Sequence, residues 1–325
     1  MPAPLQQPLV DRFRDDVSAL IAEPGRIGIA VSGGPDSIAL LLLAAAAFPR
    51  QIIAATVDHG LRAESRAEAE FVAAVCRDLD VPHRILAVDV DTARASIQNS
   101  AREARYAALD RWLAENQAGV LATAHHVDDQ AETLIMRLLR GAGVGGLAGV
   151  RARSVVPIAG SAAILIRPLL GWRRDELRAI VDAAGISPVD DPSNGDTRFD
   201  RVRVRSQLAR SDWIDPAALA RSSGALAQAD EALDWAAAEL WDARVTHVPH
   251  GISLSHDGIP AELKRRLLLT ILARLAPEAA APRGPEITRL LTALEAGGTG
   301  TLAGIACRGG KIWTFSCAPP RRRSG

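Results

Sequence analysis

The chain has 325 residues and little cysteine. Its three thiols, Cys76, Cys307 and Cys317, are widely separated, and none lies in a C-x-x-C pair. So few cysteines exclude a disulfide framework and are typical of proteins from a reducing compartment. We therefore expect a cytoplasmic protein.

Long apolar runs are also missing. The run from Leu40 to Ala47 ends at Phe48 and Pro49, well short of a membrane span. The first 25 residues have no basic start followed by an apolar stretch, so we expect no signal peptide. We accordingly expect no membrane partner.

The charge of the chain is balanced, with 38 basic and 38 acidic side chains. A net charge of zero argues against indiscriminate binding to nucleic acids. The length allows two domains of ordinary size, each with its own apolar core. Oligomeric state cannot be read from these features.

Apolar runs alternate with helical patterns through the first two hundred residues. The runs are continuous, which is typical of strands in a parallel sheet that is covered on both faces. We predict strands over 27–31, 52–57, 84–88 and 119–124. We predict helices over 36–47, 64–79, 98–115, 126–140 and 172–184. This order predicts an α/β domain with a doubly wound parallel sheet over residues 1–210.

The pattern changes after residue 210. Helical patterns cover 216–243, 261–275 and 285–296, with hairpin-like stretches near 251–255 and 301–315. We predict a second, mostly helical domain with a small sheet over residues 211–325, and a contact with RNA is one expected role for it.

A glycine-bearing loop joins the first predicted strand to the first long helix. A strand that enters a helix through glycines brings unpaired helix amides, and the positive end of the helix dipole, to one spot. Such a spot favours phosphate, and serine hydroxyls add further donors. The predicted ATP-binding residues of this loop are Ser32, Gly33, Gly34, Pro35, Asp36 and Ser37.

Asp36 is unexpected in a phosphate-binding loop. A carboxylate repels phosphate unless a divalent cation lies between them, so we predict that Asp36 holds Mg²⁺ beside ATP. The same sequence also suits an ordinary turn from strand to helix. The loop matches neither the Walker A pattern nor G-x-G-x-x-G.

The second predicted strand ends at Val57, before Asp58, His59 and Arg62. Ligands bind beyond the carboxyl ends of the strands in this kind of sheet, so the loops after Val31, Val57 and Ala124 should converge. Asp58 is then a candidate for a ribose hydroxyl or the metal. Alternatively, it caps the next helix.

The fourth predicted strand runs into a segment rich in ionisable residues. On a helix, His125, Asp129 and Glu132 would share one face. Ionisable groups stacked at the ligand end of a sheet predict a catalytic or substrate-binding role. The alternatives are metal ligation or a helix start that attracts carboxylates through its dipole.

Arginines recur at two further places. Arg102, Arg105 and Tyr106 lie three and four residues apart, and an arginine aimed at the nucleotide would neutralise transition-state charge. Arg201 and Arg205, with Arg203 between them, would suit a nucleic-acid backbone. Exposed helical faces explain both sets equally well.

Six segments in consistent order resemble one known family. They are SGGPDS, VDHGLR, QNSAREARY, ATAHHVDDQAETLIMRLLRGAGVGGLAGV, RPLL and DDPSNGDTRFDRVRVR, and together they span about residues 27 to 205. The set resembles the tRNA(Ile)-lysidine synthetases of the PP-loop ATP pyrophosphatase superfamily, which has the adenine nucleotide α-hydrolase-like fold. One residue departs from the family's usual pattern, because Val202 stands where an asparagine is expected.

The resemblance implies a two-step reaction with ATP and Mg²⁺. ATP adenylates the 2-carbonyl oxygen of the wobble cytidine in an isoleucine tRNA with a CAU anticodon, and free lysine then displaces AMP through its ε-amine to form lysidine. It implies that Asp129 and Glu132 bind lysine, that His125 and Arg105 meet phosphate or cytidine, and that Asp36 holds the metal. We weigh two rivals, a PP-loop tRNA thiolase and a nucleotide- or tRNA-binding module without turnover.

Overall fold

The computed structural model describes residues 2–23, 25–60, 64–89, 97–157, 161–189 and 200–318. The chain divides into two compact units, Met1–Ala227 and Gln228–Gly325. The boundary between them falls within the long helix Pro216–Arg244. The predicted boundary between residues 210 and 211 lies just before this helix and stays a prediction.

The first unit contains one sheet, formed among its described residues by six strands. In chain order these are β1 (Ile27–Ala30), β2 (Ile52–Asp58), β3 (His83–Ala87), β4 (Val120–Ala122), β5 (Arg153–Val155) and β6 (Ile164–Ile166). Their order across the sheet is β3-β2-β1-β4-β6-β5. All neighbouring pairs are parallel except the last, in which β5 runs antiparallel to β6.

The helices of the first unit follow the strands closely. They are α1 (Gln7–Ser18), α2 (Pro35–Ala47), α3 (Glu64–Asp78), α4 (Ile97–Glu115), α5 (Val127–Leu138), α6 (Val144–Leu147), α7 (Arg174–Ala183) and α8 (Asp200–Arg210). The helix α9 (Pro216–Arg244) follows them. The predicted helices at 36–47, 64–79, 98–115, 126–140 and 172–184 are therefore confirmed within two residues at each end.

The central strands are mostly apolar because both faces of the sheet are buried. Ile52 and Ala54 of β2 belong to one apolar cluster with α2, whereas Ile53 and Ala55 belong to another with α4. A Cβ atom on Gly28 of β1 would come within 2.5 Å of a side-chain carbon of α4. That glycine therefore sets how closely α4 packs on the sheet, and the predicted doubly wound sheet is confirmed.

The strand order reverses at β1. The chain adds β2 and β3 on one side of β1 and then returns to place β4 on the other side. The helices that follow β1 and β4 consequently leave a crevice beyond the carboxyl ends of these two strands. Ligands bind at such a switch point in open α/β sheets.

Four described elements of the first unit were not predicted. The strands β5 and β6 extend the sheet, and α8 covers residues for which no helix was predicted. The fourth is α6, which lies in the glycine-rich segment 141–149. From its sequence this segment is either a flexible lid or a linker that ends the preceding helix, and Arg137 donates to the carbonyls of Gly146 and Gly149 there. These contacts favour the linker.

The second unit has an antiparallel sheet and two helices of its own. Its elements after α9 are β7 (Val245–Val248), β8 (Gly251–Leu254), α10 (Ala261–Leu275), α11 (Gly284–Glu295), β9 (Thr299–Leu302), β10 (Ile305–Arg308) and β11 (Trp313–Cys317). The strand order is β7-β8-β11-β10-β9. Leu268, Ile271, Leu294, Trp313 and Phe315 pack in its core. The second domain with its sheet is thus confirmed, and its sheet is larger than predicted.

Within the described ranges, no helix is both long and apolar enough to cross a membrane.

Candidate active site

The loop Ser32–Ser37 is folded by its own hydroxyl groups. The Ser32 amide donates to Ser37 Oγ over 3.2 Å, and Ser32 Oγ donates to the same atom over 3.2 Å. Ser37 Oγ in turn donates to the Gly34 carbonyl over 2.9 Å. The serines therefore hold the strand end against the first turn of α2, where Pro35 occupies the first helical position.

The two glycines of the loop have different roles. Gly33 has a φ of 90°, a conformation that residues with a side chain rarely adopt. Gly34 has an ordinary φ of −72°, and a Cβ there would meet no protein atom nearer than 3.8 Å. No steric requirement of the surrounding chain explains the second glycine, whereas close approach of a ligand would.

A cavity of about 530 Å³ opens at the switch point between β1 and β4. Val31, Val57 and Ala124, which end or follow β1, β2 and β4, all line it. The predicted convergence of these three loops is therefore confirmed. The predicted site residues in its wall are Ser32, Gly34, Asp36, Ser37, Arg105, His125, Asp129 and Arg201.

Asp36 has a free carboxylate oxygen in this wall. Its Oδ1 atom is buried and has no hydrogen-bond partner within the described part of the chain. An unpaired carboxylate oxygen beside a phosphate-binding loop fits a hard divalent cation. No group of three or more His, Cys, Asp or Glu side chains that could hold a metal occurs among the described residues. A cation at Asp36 would thus take its remaining ligands from the nucleotide and water.

His126 lies beside Asp36, although sequence reasoning did not distinguish it from His125. Its ring is fully buried, with Nε2 3.3 Å from Asp36 Oδ2 and 3.5 Å from Asp129 Oδ2. Its backbone amide donates to Asp129 Oδ2 over 3.1 Å. The spacing of a helix cap with an acidic residue three positions later was the available signal.

His125 lies in the chain before α5. The prediction that it shares a helical face with Asp129 and Glu132 is wrong, because α5 begins at Val127 and its cap residue His126 is extended. His125 nevertheless lines the cavity, with Nδ1 3.2 Å from Thr123 Oγ1. Burial lowers the pKa of His125 to about 4, although Asp129 opposes this change. The ring is therefore neutral near pH 7.

Arg105 lies in the cavity wall beside a neutral imidazole. Its Nη2 atom is 3.2 Å from His59 Nε2. Burial lowers the pKa of His59, and the adjacent guanidinium lowers it further. Loss of solvent in the wall also lowers the pKa of Arg105, but a guanidinium stays charged. His59 thus accepts a hydrogen bond from Arg105 and orients it.

Asp58 lies at the carboxyl end of β2, as predicted. Its Oδ1 atom accepts a hydrogen bond from the Gly60 amide over 2.9 Å, and His59 lines the cavity in its stead. The structure thus brings Asp58 into a turn, and its role toward ATP stays a prediction. Arg62 lies outside the described residues.

Known proteins resemble this chain over most of its length. A family model for the PP-loop domain matches residues 6–211. A tRNA(Ile)-lysidine synthase from Novosphingobium aromaticivorans is 48% identical over 319 residues, which cover 96% of this chain and 94% of that protein. Another from Zymomonas mobilis is 40% identical over 315 residues, covering 96% and 95%.

The chain belongs to the tRNA(Ile)-lysidine synthase family.

The predicted membership of this family, its PP-loop fold and its enzyme class are thereby confirmed. Among solved structures, the U34-tRNA thiolase NcsA from Methanococcus maripaludis with its [4Fe-4S] cluster has a TM-score of 0.55. The match is 16% identical and covers 68% of this chain and 79% of that one. At this identity the likeness shows the fold alone.

In this member of the tRNA(Ile)-lysidine synthase family, Glu132 is enclosed by three arginines. Its side chain is 1% exposed, and Oε1 accepts from Arg174 over 3.0 Å and from Arg205 over 2.7 Å. Oε2 accepts from Arg201 over 3.0 Å. Burial alone would raise the pKa of Glu132, but the hydrogen bonds from Arg205 and Arg174 hold it below its ordinary value.

This enclosure bears on three predicted site residues. Glu132 is absent from the cavity wall in this structure, and both of its oxygens are engaged. Arg201 lines the cavity and lies 3.6 Å from Asp129 Oδ1, whereas Arg205 donates to both carboxylate oxygens of Glu132. The predicted lysine contact of Glu132 and the tRNA contacts of Arg201 and Arg205 stay predictions. Sequence reasoning missed Arg174 altogether.

Proposed function

We propose that the protein uses ATP and Mg²⁺ to join free lysine to the wobble cytidine of an isoleucine tRNA with a CAU anticodon. One observation carries this proposal: the loop Ser32–Ser37 and the Asp129 carboxylate open into the same cavity. This arrangement supports a site for a departing diphosphate and a site for a cationic amine within one cavity. The family's named activity needs this combination.

The first step forms the adenylated base. The 2-carbonyl oxygen of cytidine attacks the α-phosphorus of ATP, and the bond to the β-phosphate breaks. Loop amides at the start of α2, with the Ser32 and Ser37 hydroxyls, bind the diphosphate as it leaves. Asp36 Oδ1 would hold Mg²⁺, which supplies positive charge between the carboxylate and the phosphates.

Arg105 acts on the same step from another part of the cavity wall. Negative charge develops on the oxygens of the transferred phosphoryl group, and a guanidinium already oriented by neutral His59 stabilises it without reorganisation. The neutral His59 ring adds no competing charge of its own.

The second step replaces the activated oxygen by nitrogen. The ε-nitrogen of lysine bonds to C2 of the base, the C2–O bond breaks, and AMP departs with that oxygen. Asp129 attracts and orients the ammonium group, which releases its proton to solvent before the nitrogen attacks, while neutral His125 contributes a polar contact without repelling the cation. Glu132 acts through Arg201 and Arg205, which it holds beside Asp129.

The thiolase alternative has little support from the cysteines. Burial raises the pKa of Cys76 to about 12 and that of Cys307 to about 11, so neither is a ready nucleophile. Cys317 is exposed and unpaired. We accordingly expect a cytoplasmic enzyme that adds lysine rather than sulfur.

The test uses the purified full-length chain with ATP, Mg²⁺, labelled lysine and an unmodified CAU-anticodon tRNA transcript. We expect AMP release that depends on the tRNA, and lysine incorporated into RNA at the wobble position. A transcript with a CAU-to-CAC change at the third anticodon position controls for specificity. Sulfur transfer without lysine, or tight ATP binding with no AMP, would reject the proposal.

A further inference from the structure

A second cavity of about 820 Å³ lies between α5 and α8, within the first unit. We call it the Trp213 groove. Its apolar wall includes Ile135, Leu139 and Trp213, and the last two are unusually exposed, at 77% and 83%. Large apolar side chains grouped at the surface mark an interaction site.

The edge of the Trp213 groove carries arginines. Arg140, Arg203 and Arg210 line it together with Asp200 and Asp212. Arg140 and Arg203 both donate to Asp200, over 2.8 and 2.6 Å, through exposed side chains. Surface pairs of this kind are weak and exchange readily for another anion. For Arg210 the described residues provide no ion pair, so the groove combines an aromatic surface with available cations.

The two cavities lie along the same two helices, α5 and α8. On α8, Arg201 lines the cavity at the switch point, whereas Arg203 and Val204 line the Trp213 groove. On α5, Asp129 lines the cavity at the switch point and Ile135 lines the Trp213 groove. An RNA strand with one base in the first cavity would therefore have its neighbouring nucleotides near α8.

We propose that the Trp213 groove binds an unpaired nucleotide of the RNA substrate. Its base stacks on the Trp213 indole, and Arg210, with Arg140 and Arg203, meets its phosphates. Stacking on an exposed aromatic ring flanked by cations is how proteins hold single-stranded RNA. This inference rests on the proposed function because it requires an RNA substrate, and it adds where the bases beside the target are held.

The test compares Trp213→Ala and Trp213→Phe with wild type in full-length protein, with Trp235→Ala as matched control. Trp235 is also exposed, at 68%, but lies on α9 outside the groove. Lysine incorporation is measured against RNA concentration. We expect Trp213→Ala to raise the KM for RNA about tenfold at unchanged kcat and unchanged KM for ATP and lysine. Trp213→Phe should stay within about threefold, since it can still stack.

A second variant and a direct binding measurement make the outcome independent of turnover. Arg210→Ala should reduce the slope of log affinity against log salt by about one for a CAU anticodon stem-loop RNA. The same RNA should quench tryptophan fluorescence in wild type and much less in Trp213→Ala.

If wild type forms lysidine but Trp213→Ala has an unchanged KM for RNA and unchanged quenching, the proposal that the groove binds RNA is overturned, and the proposed function is not. A shift from dimer to monomer in Trp213→Ala without a change in KM for RNA would show that the groove binds a second copy of the chain. That result would also overturn the RNA-binding proposal. Failure of wild type to modify any RNA would instead reject the proposed function.

Discussion

The Nε2 atom of His126 lies 3.3 Å from the Oδ2 atom of Asp36. The ring is fully buried, so the cap of α5 is joined to the carboxylate at the start of α2. Asp36 Oδ1 remains without a protein partner among the described residues. The imidazole therefore packs against one carboxylate oxygen without making a hydrogen bond to it, and the other oxygen is left for a cation.

We expect His126→Ala to weaken the use of Mg²⁺, because Asp36 loses the group that orients it. The Mg²⁺ concentration for half-maximal pyrophosphate release should rise about tenfold. His126→Asn, which keeps a donor near Asp36, should recover part of this loss. Mn²⁺ binding to the protein–ATP complex, followed by electron paramagnetic resonance, gives a readout separate from turnover. Equal metal requirements in all three proteins would contradict the positioning role.

Asp36→Asn should reduce adenylation about 100-fold or more, because a neutral amide cannot hold the cation that balances the diphosphate. The measurement is pyrophosphate release with saturating ATP and RNA. Asp11→Asn is a suitable control, since Asp11 is an exposed residue of α1 whose contacts are with Gln7 and Arg14. A wild-type rate for Asp36→Asn would remove Asp36 from the metal site.

Asp129→Asn should raise the KM for lysine about tenfold and leave the KM for ATP unchanged, because the lost charge faces the amine. Asp128→Asn is the matched control. The Asp128 side chain accepts from Arg173 and from the Arg174 amide, and it does not line the cavity. Lysine dependence should therefore be unaffected in Asp128→Asn, and the same result for Asp129→Asn would take Asp129 out of the amine site.

Glu132→Gln should destabilise the first unit by about 2–4 kcal/mol, because three arginines lose the charge that they surround. The pKa of Glu132 is lowered in the folded protein, so its contribution is present above pH 4.5, its ordinary value, and is lost as pH falls below it. Urea unfolding from pH 7 to pH 3.5 should show the wild-type advantage shrinking in acid. An advantage that is constant with pH would contradict a charged Glu132.

His125 should titrate near pH 4 rather than 6.5, because burial disfavours its cation. The ring is thus neutral through the physiological range, and the folded protein loses stability from this group as pH falls below 6.5. Nuclear magnetic resonance of labelled histidine can follow the titration. Asp129→Asn should move the pKa lower still, since Asp129 raises it in wild type. A midpoint near 6.5 would show that His125 is solvated.

Local sequence determined the layers of the first unit. A strand covered on both faces is apolar at nearly every position, so the strands Ile27–Ala30 and Ile52–Asp58 could be predicted without any contact information. The phosphate-binding loop was visible for a similar reason. The backbone of the loop requires glycine at position 33, where φ is 90°. The residues that start α2 follow directly in the sequence.

Only the tertiary structure decided which charged groups meet. Arg174, Arg201 and Arg205 lie 42, 69 and 73 positions after Glu132, and no periodicity in the chain links them. His126 reaches Asp36 only because β4 returns to the far side of β1, which brings the starts of α2 and α5 together. Residues close together in the sequence determine the helices and strands. The ion pairs join residues far apart in the sequence, so they depend on the order of the strands in the sheet.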